Sequence, residues 1–403
     1  MIIAGKEVNT SKYDDIPIIN IHLSPKCSMK CSYCFESKIK MELKPIEELT
    51  DWINKILESN NQKTYIDFYG SEISVELDRL NYILKNINLD KCHSFTFMTN
   101  GLLNAKKLID AMDKYGDVVT VSLDFGEKIH DERRLDIQGN KTYRKVLSNI
   151  KYMAVDRNKR VRVSSVYDTE TTLISQEDFD NFIKDIQDAN AYNVSLNMLN
   201  KFDYSNEEVE KMYGLADKII NYYKNTSKKH INIKIKSEFD ISNVEECILS
   251  KNEPSCPAKK SHTITGNGEI SSCLYHVCND NTFVNKNILL LGNTTNGLNN
   301  KHKLVKALIQ NGKCSDCKLM KFCRNSCISM YLNNEDGSCI PARKKLSKVI
   351  IYLYENVLKL DNIKDIMNEL SNNKYKALGE EYTNEIINML KREIKIAKEF
   401  IDE

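Results

Sequence analysis

Six times between residues 18 and 223, an apolar run rich in β-branched residues gives way to an amphipathic helical stretch. This alternation is the tightest constraint on the fold. The strand-like runs fall at 18–23, 64–69, 93–99, 118–123, 160–167 and 192–199. The helical stretches fall at 45–58, 77–87, 103–115, 142–155, 175–189 and 206–223. In the first helix Ile46, Leu49, Trp52, Ile53, Ile56 and Leu57 recur on one face, with Pro45 near the first turn. Ser175 opens another, with Glu177 and Asp178 in its first turn, where acidic groups suit the helix dipole. Strands alternating with helices of this length make βαβ units and a parallel sheet, so the class is α/β. Six such units either close into a partial barrel or stay open as a doubly wound sheet, and periodicity does not separate the two. A parallel sheet places its site at the C-terminal ends of the strands.

The pattern changes after about residue 245. Nine of the 13 cysteines lie between Cys247 and Cys339, among glycines that punctuate short strand-like pieces. From Arg343 onward helical periodicity returns, with apolar stripes at Leu346, Val349, Ile350, Leu353, Tyr354 and Leu358, and at Ile386, Ile387, Leu390, Ile394 and Ala397. These stripes read as helices packed on the barrel. The expected units are 1–240, 241–345 as a small cysteine-rich domain, and 346–403 as a helical extension. A net charge of +2 gives no electrostatic case for nucleic acid as a partner. No apolar run reaches bilayer-spanning length and no signal peptide is visible, so the expectation is a cytoplasmic protein with no membrane partner. Thiols stay reduced there, and 13 cysteines then argue for metal ligation rather than disulfides.

The first cysteines form a C-x3-C-x2-C run, Cys27, Cys31 and Cys34, directly after the first strand-like segment. Three thiolates on one short loop suit three irons of a [4Fe-4S] cubane, leaving the fourth iron open for chemistry. A zinc site or a disulfide is the alternative, but zinc favours paired C-x2-C knuckles and four closed ligands. The run resembles the signature of radical S-adenosylmethionine (radical SAM) enzymes. That resemblance implies a partial (β/α)6 TIM-like barrel with the cluster on the loop after the first strand. It also implies that the open iron chelates SAM, whose reductive cleavage releases a 5′-deoxyadenosyl radical that abstracts a substrate hydrogen. Tyr33 stands at the aromatic position that usually precedes the third cysteine.

The resemblance extends to cofactor-holding residues. Gly70-Ser71-Glu72 follows the second strand where the family usually has Gly-Gly-Glu, which receives the methionyl ammonium of SAM. Ser71 departs from that pattern, and it carries a cost if the position needs a positive φ or a close backbone approach. Ser122-Leu123-Asp124, followed by His130-Asp131 and Arg133-Arg134, resembles the S-L-D-G…H-D…R segment of the SPASM-containing branch. By that resemblance Ser122 and Arg134 hold the SAM carboxylate and ribose region, with Arg133 the adjacent candidate. An arginine can grip a carboxylate bidentately. His130 and Asp131 read as loop-bracing residues, and Asn100 as a further residue able to face the cofactor.

Cys314-x2-Cys317-x5-Cys323-x3-Cys327, then Cys339, with Cys256 and Gly268-x4-Cys273 upstream, resembles the SPASM domain, which binds two auxiliary [4Fe-4S] clusters. The resemblance assigns Cys314, Cys317, Cys323 and Cys339 to one cluster, and Cys256, Cys273 and Cys327 to the other. The fourth ligand of the latter is Cys247, Cys278 or none. A double zinc ribbon is the other reading of this field, since ligand softness does not separate zinc from Fe–S. Cys92 has no neighbour in sequence and reads as a small buried apolar residue.

The resemblance implies three [4Fe-4S] clusters, SAM, an external electron donor such as ferredoxin or flavodoxin, and a peptide or protein substrate. The leading expectation is a maturase that oxidatively modifies a ribosomally made peptide by crosslinking. Other radical SAM chemistry (sulfatase maturation, epimerisation, a small-molecule substrate) and a non-enzymatic zinc or Fe–S protein stand as alternatives. Leu274-Tyr275-His276 after Cys273, where sulfatase-maturing members usually carry Asp, speaks against formylglycine formation. With 26 residues before Cys27, no separate leader-binding domain is expected there. Substrate recognition then falls to the barrel mouth, the C-terminal helices or a separate protein.

Overall fold

A computed structural model describes residues 2–3, 6–7, 17–36, 39–116, 118–168, 171–198, 203–226, 230–235, 244, 248, 260–273, 289–299, 317–323 and 341–402. All six expected strands form: β1 (Ile18–His22), β2 (Thr64–Phe68), β3 (Cys92–Thr99), β4 (Val118–Ser122), β5 (Arg160–Tyr167) and β6 (Asn193–Met198). Two further parallel strands flank them, β7 (Asn232–Ile235) beside β6 and β8 (Ser261–Thr265) beside β1. Antiparallel β9 (Glu269–Ser271), β10 (Leu290–Asn293) and β11 (Gly297–Leu298) continue beyond β8. The sheet order is β7-β6-β5-β4-β3-β2-β1-β8-β9-β10-β11, so the sheet is open. The architecture is mixed α/β with a parallel sheet of TIM-like barrel type and a helical C-terminal region.

Seven helices alternate with these strands: α1 (Ile46–Ser59), α2 (Leu77–Asn86), α3 (Ala105–Met112), α4 (Gly126–Arg133), α5 (Tyr143–Lys151), α6 (Gln176–Asp188) and α7 (Asn206–Asn225). Apart from α4, their apolar faces cover one side of the sheet, where Ile19, Ile21, Ile66, Phe68, Val121, Val163 and Leu196 are sealed from water. Strand side chains alternate between faces, so the other side carries a second set. That set is polar: Asn20 Nδ2 donates to Thr263 Oγ1 at 3.4 Å, Thr96 Oγ1 to Asp67 Oδ1 at 2.6 Å, and Asn197 Nδ2 to Ser164 Oγ at 3.0 Å. Closed barrels usually fill this space with branched apolar layers. A hydrophilic interior leaves room for polar ligands instead.

Several elements went unread in the sequence. Strand β7 (NIKI) and strand β8 (SHTIT) are short and half polar. Helix α4 (GEKIHDER) has one apolar residue in eight, Ile129, too few for a stripe. A two-stranded ribbon pairs Met29–Cys31 with Arg134–Asp136, a long-range pairing with no local signature. The helix expected at 142–155 also ends early, at Lys151, and continues as a π-helical turn over Tyr152–Asp156.

The C-terminal region is α8 (Pro341–Val357), α9 (Ile363–Leu370), α10 (Lys374–Leu378) and α11 (Glu380–Asp402). Helix α8 lies on α7, where the Tyr213 and Tyr352 rings meet edge to face at 5.1 Å and Tyr352 Oη donates to Asp217 Oδ1 at 2.6 Å. Glu369 on α9 accepts from the His230 backbone N–H at 2.8 Å and pairs with its Nδ1 at 2.6 Å, just ahead of β7. These helices are therefore built onto the barrel. No helix among the described residues is long and apolar enough to cross a membrane.

Candidate active site

Strand β1 ends at His22, and the cysteine loop follows at the C-terminal edge of the sheet. The ribbon clasps this loop: Cys31 stands opposite Arg134 and Lys30 opposite Leu135, and Ser32 N–H donates to the Arg133 carbonyl at 2.9 Å. Cys27, Cys31 and Cys34 are half-buried thiols close enough to feel one another electrostatically. Each of the first two meets N–H groups. Met29 N–H and Asn100 Nδ2 donate to Cys27 Sγ at 3.5 and 3.6 Å, and Arg134 Nη1 to Cys31 Sγ at 3.8 Å. Burial pushes the bare Cys31 thiol up to about 11, with the Arg134 charge opposing.

The donor set fits an Fe–S cluster. Thiolates buried beside N–H donors and a guanidinium are what such a cluster needs to offset its negative charge. Among the described residues no three His, Cys, Asp or Glu side chains group so as to hold a single metal ion. A cubane asks for no such group, since each thiolate takes its own iron.

Arg134 sits in a buried knot. Its Nε donates to Asp124 Oδ2 at 3.2 Å, and Tyr33 Oη donates to the same oxygen at 2.6 Å. Asp124 Oδ1 accepts from Val166 N–H at 2.9 Å, which ties the knot to the end of β5. Burial works against the Arg134 charge, but Asp124, Tyr33 and Cys31 outweigh it and hold the guanidinium protonated. Burial drives the Tyr33 phenol well above its ordinary range. Arg133 stacks over the Tyr33 ring, 4.5 Å from its centre, and pairs with Asp168 at 3.4 Å. Ser122, half buried, ends β4 two residues before Asp124.

His130 and Asp131 brace this knot from behind. Asp124 N–H donates to His130 Nδ1 at 3.1 Å, and Thr142 Oγ1 donates to the Arg134 carbonyl at 2.6 Å. The His130–Thr142 contact at 2.9 Å must then run from Nε2–H to the hydroxyl, which fixes the neutral tautomer. Burial lowers the His130 pKa from 6.5 to about 4. Asp131 Oδ1 accepts from the Thr142 and Tyr143 N–H groups, both at 2.9 Å, and so caps α5.

The Gly70-Ser71-Glu72 turn follows β2. Gly70 has φ +95°, and a Cβ there would lie 1.9 Å from the His22 ring, so the position admits nothing larger. Ser71 also has positive φ, +43°. A left-handed non-glycine residue costs about 1 kcal/mol or more, so the anticipated cost of serine at this position is real. Glu72 is 1% exposed and turned into the fold. Its Oε1 accepts from Ser74 N–H at 2.9 Å and Thr99 Oγ1 at 2.6 Å, and its Oε2 from Asn100 N–H at 2.6 Å. Burial raises the Glu72 carboxyl despite these bonds.

The structure thus brings together Cys27, Cys31, Cys34, Tyr33, Arg134, Glu72 and Asn100. Three residues of the site escaped sequence reasoning. Asp124 is the centre of the Arg134 knot, and its place in Ser-Leu-Asp was the available signal. Glu36, two residues after Cys34, and His22, at the end of β1, form a buried contact at 3.2 Å. Neither carried a recognisable signal.

Of the second cysteine field, Cys273 follows β9, while Cys317 precedes and Cys323 ends a short helix at Met320–Cys323, and both pack on the core. Cys247, Cys256, Cys278, Cys314, Cys327 and Cys339 lie outside the described residues. Cys92 is buried at the start of β3, and its thiol donates to the Asn88 carbonyl at 3.4 Å.

Residues 21–167 match the family model of the Radical SAM superfamily, so the chain carries a radical SAM domain there and is an enzyme. That domain implies a [4Fe-4S] cluster and SAM. Over 202 residues the chain is 25% identical to the radical SAM cyclopropyl synthase TigE of Paramaledivibacter caminithermalis, covering 45% of this chain and 40% of that protein. It therefore spans about two-fifths of that relative's length. Among solved structures it is similar to native anSMEcpe with bound AdoMet, at TM-score 0.65 and 16% identity over 88% of this chain and 100% of that one. It is also similar to Streptococcus suis SuiB bound to precursor peptide SuiA, at TM-score 0.56 and 15% identity over 82% and 75%. At these identities the solved structures share the fold. An enzymatic radical SAM domain removes the non-enzymatic zinc or Fe–S reading.

Proposed function

We propose that the chain is a SPASM-type radical SAM maturase that oxidatively modifies a ribosomally made peptide by forming a crosslink. The observation that carries this reading is the clasped cysteine loop at the C-terminal edge of a polar-faced parallel sheet, next to the Gly70-Ser71-Glu72 turn. When bound, the cluster and SAM supply an electron and a 5′-deoxyadenosyl radical that removes a substrate hydrogen. Cys27, Cys31 and Cys34 hold the cluster. Asn100 and Arg134 stabilise the thiolates through N–H donors, and Asp124 keeps Arg134 in place. The Gly70–Ser71 backbone and the Ser122 hydroxyl face SAM. Glu72 pins the turn to β3, and its second oxygen keeps a lone pair for the methionyl ammonium. Tyr33 packs between the loop and the two arginines.

Cys314, Cys317, Cys323 and Cys339 hold one auxiliary cluster, and Cys256, Cys273 and Cys327 the other, within a domain at 241–345. Clusters bound there would supply an outlet to an external ferredoxin or flavodoxin for the one electron left over when a new bond closes after hydrogen abstraction. The likeness to a fold solved with a precursor peptide supports a peptide substrate, and a relative named for cyclopropyl synthesis supports bond formation.

The test is oxygen-free reconstitution, an iron and sulfide count, and assay of 5′-deoxyadenosine with dithionite and SAM. About twelve irons per chain with 5′-deoxyadenosine formed is the expected result for three cubanes. About four irons with cleavage empties the second cysteine field of clusters. Zinc with no cleavage overturns the whole reading.

A further inference from the structure

We infer that Glu36, oriented by His22, is a positioning residue that lets a serine stand at a left-handed position of the cofactor-binding turn. The inference rests on the proposed SAM site and deepens it. Glu36 Oε2 gathers three contacts: the Ser71 backbone N–H at 2.5 Å, Ser71 Oγ at 2.9 Å and His22 Nε2 at 3.2 Å. Glu36 is buried and His22 is fully buried, so these bonds form away from competing water. Ser71 sits at φ +43°, a conformation that glycine adopts freely and serine does not. The bonds to its own backbone N–H and hydroxyl are made in that conformation and offset its cost.

Glu36 also lies at a mechanically useful place. The turn is gripped at two points by the cysteine loop. Glu72 N–H donates to the Lys26 carbonyl at 3.1 Å, at the loop's entry. Glu36 holds Ser71 at the loop's exit. Turn and cysteine loop therefore move as one body, and a displacement of either alters the distance between cluster and cofactor. His22 couples this pair to β1. Its ring packs against Gly70, the residue that admits no Cβ, and its Nε2 faces Glu36. Gly70 and Ser71 are thus held by one His–Glu pair from beneath.

A mutant cycle tests the device, using reconstituted enzyme with its loop iron counted. Glu36→Gln, Ser71→Gly and the double variant are compared by SAM affinity in equilibrium dialysis, and by thermal unfolding without SAM. Glu36→Gln alone is expected to weaken SAM binding about tenfold, the scale of a lost charged hydrogen bond. In the Ser71→Gly background the same change should cost threefold or less, because glycine needs no help to hold the turn. The drop in unfolding temperature should shrink in parallel. Equal penalties in both backgrounds, with SAM bound by the wild type, overturn the inference. Ser71→Ala supplies a second arm that leaves Glu36 intact. It keeps the backbone strain and removes the hydroxyl bond, so it should lose affinity relative to Ser71→Gly, and equal affinities would count against the device. Failure of the wild-type protein to bind SAM would instead sink the cofactor reading, while the thermal cycle still decides the Glu36–Ser71 coupling.

Discussion

Single positions in this site carry their weight through burial. Asp124 accepts from Tyr33, Arg134 and Val166, and is completely sealed from water. Asp124→Asn would leave Arg134 as a buried guanidinium facing a neutral amide, a loss of about 3–5 kcal/mol. A lowered unfolding temperature together with weakened iron retention, measured on the same preparation, is the expected outcome. A variant that keeps both would show that Arg134 finds its counter-charge elsewhere. At Gly70 the constraint is steric. Gly70→Ala would place a methyl group into the His22 ring on a left-handed backbone, costing roughly 2–5 kcal/mol. Thermal unfolding would register this, and an unchanged midpoint would mean the turn relaxes freely. Sequence reading reached part of this. Gly70 and the doubt over Ser71 were visible because glycine and serine differ in allowed φ. Glu36 was invisible, because its contacts to Ser71 and His22 are made by folding rather than by spacing.

The ribbon is the element that organises the site. Pairing Met29–Cys31 with Arg134–Asp136 joins the cysteine loop to the end of α4, and the His130 network sets the angle at which the chain leaves that helix. This element predicts a pH response. His130 titrates at about 4 in the folded protein against 6.5 for the free group, so the unfolded chain binds more protons between those values. Its contribution is whole above pH 6.5 and falls away as pH drops toward 4, by roughly 3 kcal/mol in total. The groups facing it, Asp124, Asp131 and Arg134, are its charged neighbours in this balance. His130→Gln should flatten the dependence of the denaturation midpoint between pH 6.5 and 4, and an unchanged slope would assign the acid sensitivity to other groups. Helices with full apolar stripes, such as α1 and α6, were legible to within a residue or two. Helix α4 was not, since it is stabilised by His130 and Asp131 bonds rather than by a stripe.

At the scale of the molecule, one sheet takes strands from both sides of residue 240. Strand β8 pairs with β1 along its whole length, from Ser261 beside Ile18 to Thr265 beside His22. Gly266 follows so closely on the Leu23 carbonyl that a Cβ there would lie 2.4 Å from it. Trp52 on α1 donates to the Thr294 carbonyl at 2.7 Å, which packs the β10–β11 hairpin against the first helix. The sequence hid this because a polar strand amid cysteines gives no period of its own. The proposed auxiliary clusters are separable from the first by mutation. Cys317→Ser is expected to remove about four irons and leave SAM cleavage measurable, whereas Cys31→Ser should abolish cleavage. Full iron retention in Cys317→Ser would exclude that thiol as a ligand.

The pairing of β1 with β8 also sets a timetable. The strand that presents the cysteine loop leaves the ribosome well before its partner on one side, which lies 243 residues further along the chain. At ordinary translation rates that interval is roughly ten to fifty seconds. Through it, β1 keeps one hydrogen-bonding edge open and its three thiols stand on a half-built support. Iron delivered before β8 arrives would meet an unfinished loop, so maturation of this protein is a problem of order as well as of affinity.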